Sequence, residues 1–156
     1  MMYVPKKLPI KIVIDDRGCL WQLFDVINSK ISFDGINYEE LPPIKRIYKV
    51  ENFLKDTIRG MHFHKIEWKY FIVIKGSVKF VLSPTDIPTE KTQTFVLSEK
   101  KPEVLIIPPS YYNGWRALED YTILLGASSL SLEESLKDDY RIPPDNFLEF
   151  FRVKNR

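Results

Sequence analysis

The chain is broken into short apolar runs, and that pattern limits its fold more than any other feature. Eight runs stand out: IKIVI (10–14), CLWQLF (19–24), RIYKV (46–50), YFIVI (70–74), VKFVL (78–82), TQTFVL (92–97), EVLIIP (103–108) and YTILLGA (121–127). Between them lie DDRG, DGINYEELPP, KGS, SPTDIPTE, SEKKP and PPSYYNG, rich in the residues that close turns. Runs of this length are strand-sized. Many short strands with turn chemistry between them predict an all-β antiparallel sandwich or barrel. Several runs are apolar at consecutive positions, which predicts cover on both faces and is consistent with a partner subunit. Helical signals come late. Ser131 precedes Glu134 at capping-box spacing, and PPDNFLEFFRVK can hold a second short helix with Asp145 near its start.

With 156 residues the chain reads as one domain, 1–156, long enough for a real core. Hydrophobic residues at 44% and charged residues at 28% argue against disorder. A net charge of +2 with no markedly basic segment argues against a nucleic-acid partner. Cys19 is the only cysteine, so no disulfide forms within one chain, which fits a reducing cytoplasm. No apolar stretch is long enough for a leader or a membrane span. A cytoplasmic protein that does not enter membranes is expected.

Both histidines of the chain fall in RGMHFHKIEWKYFIVIKG (59–76). In a strand, positions 62 and 64 share a face, and Phe63 points to the other. A metal site would need at least three protein ligands, and there is no third histidine. Glu67, three residues beyond His64, is expected on the opposite face of a regular strand. No metal is expected. Imidazole can instead exchange protons near neutral pH, and Arg59 and Lys69 are nearby cations. A base beside cations suits removal of a proton next to a carbonyl. An inert hydrogen-bonded pair is the alternative.

IDDRGCLWQLFD followed by IRGMHFH resembles the cupin family of dTDP-4-dehydrorhamnose 3,5-epimerase, in which D-x-R-G-x-x-x-E-x-F precedes R-G-x-H-x-Q. KYFIVIKG (69–76), IPPSYYNGW (107–115) and LED (118–120) continue the likeness. RGMHFHK and the upstream KRIY (45–48) also resemble the dTDP-sugar 3,4-ketoisomerases, whose signature is R-G-x-H-A-H-K. The resemblance covers about Ile14 to Phe147 and rests on the order and spacing of the pieces. It implies a cupin-type double-stranded antiparallel β-barrel (jelly roll) with a short helical C-terminal tail.

The resemblance further implies a cofactor-independent epimerase of a nucleotide-linked, most simply dTDP-linked, 4-keto-6-deoxy sugar. Such an enzyme would serve deoxysugar, surface-carbohydrate and lipopolysaccharide biosynthesis as a homodimer. A 3,4-ketoisomerase and a non-catalytic sugar-nucleotide-binding cupin are the alternatives. By position, His62 is the base, Lys69 lies near the developing enolate oxygen, and Arg59 binds substrate. Tyr48, which shares a strand face with Arg46, is the expected proton donor. Asp145 is the favoured orienter of the base among Asp138, Asp139 and Asp145. Arg17 and Gln22 are expected at the nucleotide, across the dimer, with Gln22 standing where the family has glutamate. Arg46, His64 and Asn113 complete the expected substrate contacts. Two departures bear on the reaction: Asn113 replaces a histidine, and the epimerases' acid tyrosine has no counterpart near Gly126.

Overall fold

The computed structural model describes residues 3–27, 30–33, 36–37 and 41–154. In chain order the strands are β1 (Lys6–Pro9), β2 (Lys11–Asp15), β3 (Gly18–Gln22), β4 (Asp25–Ile27), β5 (Lys30–Phe33), β6 (Ile36–Asn37), β7 (Arg46–Asn52) and β8 (Ile58–Phe63). They continue as β9 (Lys69–Lys75), β10 (Ser77–Ser83), β11 (Gln93–Ser98), β12 (Glu103–Ile107), β13 (Tyr112–Ala117) and β14 (Thr122–Ser128). Helix α1 (Leu132–Lys137), β15 (Tyr140–Arg141), a 3-10 turn (Pro144–Phe147) and α2 (Leu148–Phe151) follow. Two five-stranded antiparallel sheets run β1-β12-β9-β14-β7 and β11-β10-β13-β8-β15. This is the expected jelly roll. β2 and β3 form a separate hairpin, and β4, β5 and β6 a small third sheet.

The two large sheets enclose a common core. Phe71, Val73, Leu105 and Leu124 of the first meet Val78, Phe80, Leu82 and Trp115 of the second. Phe71, Phe80 and Trp115 lie with ring centroids 5.2–5.5 Å apart. Each such side chain contributes roughly 1.5–3 kcal/mol on burial.

The consecutive apolar residues of β9 are explained without a partner. Phe71 and Val73 face the core, while Tyr70 and Ile72 join a second cluster on the outside of the sheet. That cluster is built by Leu8, Ile10, Trp21, Phe24, Ile31 and Leu41 of the same chain. The outer face is thus covered by the N-terminal segment.

The tail matches its sequence signals. Ser131 accepts from the Glu134 backbone N–H, and the Glu134 side chain closes the capping box on α1. Phe147 and Phe151 bury against Met61 and Val81 on the outside of the second sheet. One stretch read as a turn is in part a strand: PPSYYNG leads into β13, which pairs with both β10 and β8. β1, the three strands of the small sheet and β15 carry too few apolar residues for the periodicity to register.

Candidate active site

A cavity of about 400 Å³ opens between the two sheets. β7 and β9 supply Arg46, Tyr48, Lys69 and Phe71, β8 and β13 supply His62, Asn113 and Trp115, and α1 closes one side with Leu132, Ser135 and Leu136. A similar hollow of about 440 Å³ at the β2–β3 turn is lined by one exposed hairpin and holds no base.

Pairing of β15 with β8 places Arg141 opposite His62 and Tyr140 opposite Phe63. Asp139, just before β15, therefore arrives beside the imidazole. Its Oδ1 lies 2.9 Å from His62 Nδ1. Arg141 donates to Asp139 Oδ2 from Nε at 2.8 Å and from Nη2 at 2.6 Å. The contact gives Nδ1 the proton and leaves Nε2 free as a base. Burial pushes the His62 pKa below the usual imidazole value, Asp139 pulls it back up, and Lys69 and Arg141 lower it further. Burial works to raise the Asp139 pKa, but hydrogen bonds from Arg141 and His62 prevail and hold it low. Asn113 Nδ2 donates to the His62 carbonyl at 2.9 Å, bracing β13 against β8 beneath the imidazole.

The regular strand ends at Phe63, so the face-alternation rule stops there. Asp138 shapes the next turn by accepting backbone N–H bonds from Lys65 at 2.9 Å, Ile66 at 3.0 Å and Glu67 at 3.2 Å. The turn corrects the expectation that Glu67 points away from His64: Oε2 of the fully buried carboxylate lies 2.7 Å from His64 Nδ1. Glu67 also accepts from the hydroxyls of Ser128 and Ser135 and from Arg46 Nη2, the last at 3.2 Å. Burial alone would raise its pKa, but His64, Lys69 and Ser128 outweigh burial and bring it down to about 2. Through Ser135 this carboxylate ties α1 to the cavity wall.

On the opposite wall Tyr48 lies under the Arg46 guanidinium, 5.1 Å from the ring centroid. Burial first, then the charge of Glu67, push the phenol pKa well above its ordinary value, so Tyr48 stays protonated. The Lys69 side chain is 11% exposed. Burial lowers its pKa, and Glu67 and Asp139 partly restore it.

His62, His64 and Asp139 bring one ligand atom each within 4.8 Å of one another, a donor set suited to a first-row metal. The third ligand absent from the sequence reading is thus Asp139, not another histidine. The hydrogen bonds made by this set oppose a cation, because Asp139 is already clamped by Arg141 and by the His62 N–H.

The remaining expected residues fall elsewhere. Arg59 Nε donates to Asn52 Oδ1 at 2.9 Å, and the residue is not among those lining the cavity. Asp145 is corrected: it sits exposed in the 3-10 turn, and Asp139 takes the place assigned to it. Arg17 pairs with Asp15 at the tip of the exposed hairpin, and Gln22 is exposed at the end of β3. Arg141 and Ser135 were not anticipated. Arg141 lines the cavity with its side chain 66% exposed, a form suited to an anionic group.

The family described as FdtA, WxcM-like, C-terminal, matches residues 10–152. No curated protein matches the chain. Among solved structures, a 3,4-ketoisomerase from Helicobacter canadensis is 24% identical, covers 94% of this chain and 96% of its own, and superposes with a TM-score of 0.67. QdtA, a sugar 3,4-ketoisomerase from Thermoanaerobacterium thermosaccharolyticum in complex with TDP, is 26% identical, with 96% of each chain covered and a TM-score of 0.67. ChmJ, a 3'-monoepimerase from Streptomyces bikiniensis in complex with dTDP-quinovose, is 14% identical with a TM-score of 0.71, over 90% of this chain and 70% of that one. A mutant of QdtA has also been solved with TDP-4-keto-6-deoxyglucose.

Proposed function

The chain belongs to the FdtA family, WxcM-like, C-terminal, and on that premise we propose that it is a 3,4-ketoisomerase of a TDP-linked 4-keto-6-deoxy sugar. One observation carries this reading: a half-buried imidazole oriented by Asp139 and a phenol kept protonated by burial line one cavity from opposite sheets. The ketoisomerases named above match nearly end to end, whereas the monoepimerase carries additional chain.

His62 Nε2 takes the proton from C3. The C–H electron pair becomes a C3=C4 double bond, and O4 takes a proton to give an enediol. Loss of the O3 proton sends the pair back to C4, which is protonated, leaving the ketone at C3. Two protons leave and two arrive, so the step needs no oxidant. Lys69 holds the negative charge that develops on oxygen. Tyr48 is the donor at carbon. Arg141, and Arg17 with Gln22 from a second subunit, face the nucleotide diphosphate. We place the enzyme in the cytoplasm. No helix among the described residues is long and apolar enough to cross a membrane.

Deuterium tracing with TDP-4-keto-6-deoxyglucose in heavy water distinguishes the candidates. A ketone moved to C3 with deuterium at C4 is expected. Deuterium at an inverted centre with the ketone still at C4 would make the protein an epimerase. No exchange would make it a non-catalytic binder. EDTA is expected to leave the rate unchanged; loss restored by a divalent metal would establish a centre at His62, His64 and Asp139.

The β2–β3 hairpin exposes Val13, Ile14 and Leu20, with Ile14 77% exposed. We assign this apolar surface to a homodimer. Ile14→Glu is expected to halve the mass seen in sedimentation; an unchanged mass, or a monomeric wild-type protein, would end the assignment.

A further inference from the structure

We infer that Gly126 is a positioning residue: its missing side chain leaves a slot for the Tyr48 ring and so decides that the cavity's phenol comes from β7. The inference rests on the proposed role of Tyr48. β7 and β14 pair antiparallel with Tyr48 directly opposite Gly126. Side chains facing each other across such a pair ordinarily stand side by side. Here the ring leans over the glycine instead. A Cβ at position 126 would lie 2.5 Å from Tyr48 Cε2, 2.5 Å from Cζ and 2.8 Å from the hydroxyl oxygen. Those separations are far inside the roughly 3.5–4.0 Å at which carbon atoms pack. The atoms met are the far end of the ring, including the oxygen that carries the proton.

The ring has little room to give way. Arg46 lies over it at 5.1 Å and is held by Glu67 and Ser135. Phe71 approaches its edge at 6.3 Å. The backbone does not ask for glycine here: Gly18, Gly60 and Gly76 have positive φ, and Gly126 is not among them. The backbone conformation accepts alanine, and the three nearest atoms that a Cβ would meet all belong to Tyr48. Any side chain at 126 therefore moves the phenol or removes it from the cavity.

The test combines kinetics with thermal unfolding. Gly126→Ala is expected to lower kcat for TDP-4-keto-6-deoxyglucose by about a hundredfold, with KM changed less than about twofold. In a Tyr48→Phe background, where the hydroxyl is already gone, the same change is expected to alter kcat by less than about twofold. Gly126→Ala is also expected to lower Tm in the wild-type chain and not in Tyr48→Ala, where the slot is empty. Failure of Gly126→Ala to fold, with the Tyr48→Ala/Gly126→Ala pair folded, supports the inference equally. Wild-type kcat in Gly126→Ala overturns it, as does an equal loss in the Tyr48→Phe background or an equal Tm loss beside Tyr48→Ala. If the wild-type protein does not turn over this sugar, the proposed function fails, and the Tm coupling alone decides whether the ring occupies the slot.

Discussion

His62→Asn is expected to lower kcat by about 10²- to 10⁴-fold, the range a positioned general base supplies. Asparagine keeps a donor where Nδ1–H meets Asp139, so the hydrogen bond at 2.9 Å can persist while the basic nitrogen is lost. KM is expected to change little, because in the proposed mechanism the imidazole acts on the reacting C–H rather than on the nucleotide. The pH profile adds a second check. His62 is active when deprotonated, and burial, only partly opposed by Asp139, keeps its pKa below the usual imidazole value of 6.5. Wild-type kcat/KM should therefore be flat near neutrality and fall on the acid side of that value. Asp139→Asn removes a contribution that raises the pKa, so the acid limb moves to lower pH while a weaker base lowers kcat. Wild-type proton exchange at the substrate carbon in His62→Asn would remove this histidine from the mechanism.

Glu67→Ala is expected to destabilise the fold by about 3–5 kcal/mol, the cost of removing one member of a buried charged network. The substitution leaves Arg46, His64, Ser128 and Ser135 facing a void that they now line as polar groups. For a chain of this size the loss corresponds to about 6–20 °C in Tm. Acid sensitivity follows from the same carboxylate. Its folded pKa, about 2, lies below the ordinary glutamate value of 4.5. The ionised network thus stabilises the fold fully above about pH 4.5. That stabilisation, on the order of 3 kcal/mol, is lost as pH falls toward 2. Urea unfolding at pH 7 and pH 3 measures both terms. Glu67→Ala should shed this part of the acid sensitivity, and an unchanged midpoint at pH 7 would refute the network's structural weight.

The placement of His62 and Tyr48 was legible because each lies inside a strand, where alternation ties position to face. RIYKV carries that period, and both side chains line the cavity. Legibility ended where the strands ended. Glu67 follows a turn held by Asp138, so counting residues from His64 assigned it the wrong direction. Asp145 lay in a favourable register of the linear sequence, yet the two-residue pairing of β15 with β8 brings Asp139 to the base. Arg59 stands near His62 in sequence, but its hydrogen bond to Asn52 ties it to β7.

Local chemistry written along the chain determined the strand-rich body, the capped helix at Ser131 and the shared placement of the two histidines at the end of one strand. Periodicity, turn residues and capping act within a few positions, so one dimension is enough to read them. Tertiary structure alone decided which carboxylate orients the imidazole, where Glu67 anchors α1, and that an unoccupied glycine side makes room for Tyr48. Those contacts join residues 60 to 80 positions apart, and only the closing of two sheets on one another selects among the partners the sequence offers.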